Sequence, residues 1–170
     1  MKKVIKAYLQ LEEHVLLMIK AEFFVQLIGA AFFLILNIYL AKQGFSDPEI
    51  ANFISYRFLA VMLLAFPLGF YIKGKPLKPF FILGSLGVPT VAIALVLAIQ
   101  YGLYHYLPAL FILWGVVFTL FQVSSFPYVM RNTSVANQSH AISLNYATHS
   151  FGTILSGIMI FGFGQFMREM

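Results

Sequence analysis

Three long stretches of this chain carry no charged residue: 23–41, 79–130 and 132–167. An α-helix needs about 20 apolar residues to cross about 30 Å of hydrocarbon, so the first stretch is one span long, the second holds more than one and the third is longer than a single span needs. Only 10% of the residues are charged and 61% are hydrophobic, with a mean hydropathy of +0.86. Soluble domains carry about 25% charged residues. The chain therefore reads as an all-α membrane protein, a bundle of about five transmembrane helices.

The net charge is +5, but the basic residues lie scattered beside the apolar runs rather than along one stripe. That distribution excludes a nucleic-acid partner and reports membrane topology instead. There is no cysteine, which removes disulfides, thiolate chemistry and cysteine-held metals. HExxH, GxSxG and P-loop motifs are absent, as is any pair of intramembrane carboxylates. Nothing here calls for an enzyme, a metal or a cofactor.

Residues 1–20 space Val4, Ile5, Tyr8, Leu9, Leu11, Val15, Leu16 and Ile19 at helical intervals among lysines and glutamates. They read either as an amphipathic helix on the cytoplasmic surface or as an extension of the first span. The spans are expected at about 21–41, 47–72, 80–100, 107–130 and 140–166. Ser46, Pro48 and Glu49 form the pattern of a capping box at the start of the second, which stops at KGKPLKP. Pro89 is expected to kink the third, and Tyr101, Tyr104 and Tyr106 to form an interfacial aromatic belt.

Lys2, Lys3, Lys6 and Lys20 precede the first span, Lys73, Lys75 and Lys78 separate the second and third, and Arg131 separates the fourth and fifth. The positive-inside rule puts these on the cytoplasmic side, N-terminus included, in what is expected to be a bacterial inner membrane. Glu22 is expected with Lys20 at the cytoplasmic interface. Five spans that begin inside end outside.

The order of parts, a first helix entering GFSDPEI, a second ending LLAFPLGFYIKGKPLKP, a third opening FFILGS and a fifth opening SHAISLNYATHSFGTILSG, resembles the amino-terminal half of a major facilitator superfamily transporter. The family's signature between its second and third helices is G-x-L-a-D-r-x-G-r-k. Gly69 matches its first glycine, and Lys73, Gly74 and Lys75 match its basic end; the acidic and arginine middle is missing, as though two residues had been deleted. The resemblance implies twelve spans in two halves around a central cavity, a gating loop at Gly69 and Lys73 to Lys75, and a small-molecule solute moved by alternating access. With five spans, the chain would be a fragment, a short reading frame, or a half that needs its missing second half or another copy of itself. The alternative is a non-transporting five-helix scaffold or subunit packed against a partner membrane protein.

Transport of this kind needs polar groups facing a water-filled cavity within the bilayer. Gln26 and Asn37 are eleven residues apart, within about 20° of one face at about 100° per residue. Trp114, Phe118, Gln122 and Ser125 form a stripe on the fourth helix, and Asn145, His149, Gly152 and Ser156 one on the fifth. Each amide reads either as substrate-binding or as a helix-to-helix hydrogen bond, and Gly152 with Ser156 as a small-residue seam. Trp114 is either a packing residue or a stacking platform. His149 is either a proton shuttle or a packed neutral imidazole. The shortage of intramembrane carboxylates argues mildly against proton coupling.

Arg57 stands inside an apolar helix that carries no other charge until Lys73. A guanidinium in hydrocarbon costs about 3 kcal/mol on insertion scales, so it must reach water, a partner or a ligand. Either it snorkels or pairs with a neighbouring helix, or it binds an anionic group of the solute.

Overall fold

The computed structural model describes residues 11–169, with side chains to residue 165. Five helices follow one another: α1 (Glu13–Lys42), α2 (Asp47–Tyr71), α3 (Lys78–Gln100), α4 (Leu107–Arg131) and α5 (Gln138–Glu169), with a 3₁₀ turn at Tyr104–Tyr106. Each is long and apolar enough to cross a bilayer. Large side chains such as Met62, Phe66, Phe70 and Phe161 are about two-thirds exposed or more. So much apolar surface exceeds what a water-soluble monomer carries, and lipid is the solvent that fits it. The molecule is an integral membrane protein.

Part of the amphipathic segment expected over 1–20 lies outside the described residues. From Glu13 onward the chain is helical and continues without a break into the first apolar run. The second helix begins where its cap was expected. Both the backbone N–H and the hydroxyl of Ser46 donate to Glu49 Oε2, at 2.8 and 2.7 Å. Gly44 and Gly102, at φ +93° and +68°, close α1 and α3. In each case the following residue donates back five positions, Phe45 to Leu40 and Leu103 to Ala98, a C-terminal lock that requires the left-handed backbone glycine provides. α3 runs through Pro89 as one helix.

The chain divides into two compact units: one contains the described parts of Met1–Ile35 and Ser125–Met170, the other Leu36–Ser124. In the second unit α4 packs against α2 and α3 through glycines. A side chain at Gly115 would meet the Arg57 carbonyl oxygen and lie 2.8 Å from Ala60 Cβ. One at Gly84 would lie 2.7 Å from Phe121 Cβ and 2.9 Å from its backbone nitrogen. These helices touch backbone to backbone.

In the first unit α1 and α5 run parallel. Ala141 joins Leu11, Val15, Ile19 and Val129 in an apolar core, and further along Gly152 lies against the Phe23 carbonyl and the Leu27 nitrogen. α4 runs the other way beside α5: Gln138 donates to the Met130 carbonyl, while Phe126 meets Tyr146.

Candidate functional site

Arg57 sits half-buried on α2, and aromatic rings lie against its guanidinium. Across from it α4 presents Trp114 and Phe118, one turn apart, with Gly115 between them. The missing side chain at Gly115 lets the α2 backbone approach, so the guanidinium carbon lies 4.4 Å from the Trp114 ring centroid and 4.8 Å from that of Phe118. Phe58 adds a third ring at 5.3 Å. Trp114 is only 2% exposed, so its π face meets the cation away from solvent. Cation–π contacts are worth about 0.5–1 kcal/mol when exposed and about 2 when desolvated, enough to offset much of the insertion cost.

Behind this pair the rings continue. Phe111 packs edge-on against Trp114 at 5.9 Å and stacks on Phe53 at 5.7 Å, and Phe53 meets Phe45, which meets Tyr104 in the 3₁₀ turn. An aromatic column thus leads from the turns that follow α1 and α3 to the cation. Sequence reasoning placed Phe118 on the polar stripe of α4 without seeing it as a partner for Arg57. The signal was present: two aromatic residues four apart on a neighbouring helix form one face.

The candidate residues divide between the two units. Arg57, Trp114, Gln122 and Asn37 belong to Leu36–Ser124, and the structure brings Arg57 and Trp114 together. Gln122 is half-buried one turn beyond Phe118. Asn37 is half-buried, and its Oδ1 is enclosed with no hydrogen-bond partner among the described residues. Gln26, Asn145 and His149 belong to the other unit. Gln26 Nε2 donates to Thr153 Oγ1 at 3.0 Å, the helix-to-helix reading of that amide. Asn145 is 3% exposed, with its Oδ1 enclosed and unpartnered among the described residues. His149 is half-buried, one turn before the Gly152 seam.

Of the residues matched to the gating loop, Gly69 lies within α2, while Lys73, Gly74 and Lys75 form the turn after it. Gly74 takes φ +75°, and Lys75 Nζ stands 3.2 Å over the Tyr71 ring.

Glu22 departs from expectation. Lys20 is exposed, but Glu22 is buried and accepts a hydrogen bond from the Ser125 hydroxyl of α4. The bundle therefore contains an enclosed carboxyl group. No family model, curated protein or solved structure matches the chain.

Proposed function

We propose that this chain is a solute-transport domain of facilitator type, an amino-terminal bundle that works by alternating access with a second half or a second copy. One observation carries the reading: a residue with permanent charge is kept inside α2 and lodged over Trp114 and Phe118 of α4. Ring faces reduce the cost of that charge, yet a leucine at the same place would incur none. A guanidinium earns its position where a carboxylate or phosphate must be recognised, because its planar fork fits both. Arg57 is accordingly the anion-reading group of the solute site. Trp114 supplies the surface it rests on, and Gln122 and Asn37 are further polar candidates in the same unit. The order of sequence elements around GFSDPEI and KGKPLKP supports the facilitator type, and the lysine distribution supports a cytoplasmic N-terminus in a bacterial inner membrane.

The test is binding of radiolabelled small carboxylates and inorganic phosphate to the detergent-purified chain, followed by uptake into proteoliposomes. Hydrogen bonds to a charged group are worth about 1.5–3 kcal/mol, so Arg57→Ala should weaken anion binding by about tenfold to a hundredfold, with Arg57→Lys between it and the parent. Parent and variants that bind every anion equally, or not at all, would assign the chain to the non-transporting scaffold class.

A further inference from the structure

The apolar core of the first unit has a polar layer beside it. Glu22 follows Ile19 by three residues on α1, Ser125 precedes Val129 by four on α4, and Asn145 follows Ala141 by four on α5. Because α4 runs opposite to the other two helices, all three offsets point the same way, one turn along from the cluster. Glu22, Ser125 and Asn145 are 6%, 0% and 3% exposed. Ser125 Oγ donates to Glu22 Oε2, while Asn145 Oδ1 is enclosed without a hydrogen-bond partner among the described residues.

The Ser125 hydroxyl donates to Glu22 and the Asn145 side-chain nitrogen carries two further N–H donors, so the unmatched groups here are acceptors: the enclosed carboxyl and Asn145 Oδ1. An ionised carboxylate only accepts hydrogen bonds, and so does an amide oxygen. A buried acceptor left unmatched costs about 1–3 kcal/mol, and an enclosed carboxylate costs more. One proton on Glu22 removes the charge and turns the carboxyl into a donor, the kind of group that Asn145 Oδ1 lacks. A hard metal cation fits less well, since the four side-chain oxygens of Glu22, Ser125 and Asn145 fall short of the six or so that such ions take.

The other titratable and charged groups with described side chains that these helices carry in the first unit are Glu13, His14 and Lys20 on α1, Tyr128 and Arg131 on α4, and His140, Tyr146 and His149 on α5. Lys20 on α1 and Arg131 on α4 are exposed; Tyr128 is half-buried three residues after Ser125. His140 and His149 are half-buried on α5, before Ala141 and one turn beyond Asn145.

We infer that Glu22 is a proton-binding site, neutral while the Glu22–Ser125–Asn145 layer is closed and exchanging its proton with water when the layer opens. The proton passes from water to a Glu22 carboxyl oxygen and returns to water on release, with no other bond made or broken. The inference is independent of the anion site at Arg57.

Infrared difference spectroscopy of the full chain in lipid nanodiscs tests it. The parent at neutral pH should show a protonated-carboxyl band that shifts in heavy water and disappears reversibly in alkali. Glu22→Gln should abolish the band and Glu49→Gln should leave it, while Asn145→Leu and Ser125→Ala, which keep the carboxyl, should displace it. A neutral-pH spectrum unchanged by Glu22→Gln would overturn the proposal, as would a band that persists in alkali. So would loss of the band when sodium replaces potassium, which would mark a metal-cation site. Circular dichroism checks the helical fold of Glu22→Gln; should it fail to fold, a band unmoved in both Asn145→Leu and Ser125→Ala overturns the assignment.

Discussion

Lys20 and Glu22 are near neighbours in sequence and opposites in the fold. At about 100° per residue they lie about 200° apart around α1, so two residues expected together become one exposed lysine and one buried carboxyl group. The spacing held the signal: Leu11, Val15, Ile19 and Glu22, at intervals of four, four and three, put the acid on the core stripe. Arg57 was legible as an anomaly, because a charge within an apolar run is visible in one dimension. Its seat on two rings was not, because that depends on which helix lies opposite. Gln26 shows the same limit, since its partner Thr153 is 127 positions away. Inter-helix hydrogen bonds of this sort average about 0.6 kcal/mol in membranes, so Gln26→Leu should lower stability only slightly, read as a small fall in the unfolding midpoint in detergent.

At the scale of helices, the sequence was most legible where turn chemistry is local. Ser46 with Glu49, and glycines at 44, 74 and 102, mark ends that the structure keeps to within a few residues. Prolines were less informative. Pro67, Pro89 and Pro127 all lie inside helices, which membrane bundles tolerate because neighbouring groups and local backbone adjustment satisfy the freed carbonyls. The seams between helices were legible for Gly152, whose spacing to Ser156 gave it away, but not for Gly84 or Gly115. A methyl group at either of those meets backbone atoms that cannot rotate aside, so Gly84→Ala and Gly115→Ala should each cost about 1–3 kcal/mol. Gly69 faces open space, and Gly69→Ala should leave stability unchanged or slightly raised. Thermal unfolding of the three variants in one detergent makes the comparison.

For the whole molecule, the number of candidate spans was readable from composition and run length, since lipid demands long apolar helices and tolerates little else. How polar residues distribute among compact units was not readable, because helical phase alone does not say which neighbour a face meets. The proposed orientation is open to direct measurement, as the chain has no native cysteine to interfere. With the N-terminus in the cytoplasm, Gln43→Cys and Tyr101→Cys should react with an impermeant maleimide added to intact cells. Lys75→Cys and Val135→Cys should react only after permeabilisation. The reverse pattern would invert the topology.

Trp114 is the one tryptophan in the chain, and it carries the guanidinium on its face. All indole fluorescence from the unlabelled protein therefore originates next to Arg57. Emission wavelength and quenching become a native gauge of whether that cation stays seated while solutes arrive and leave.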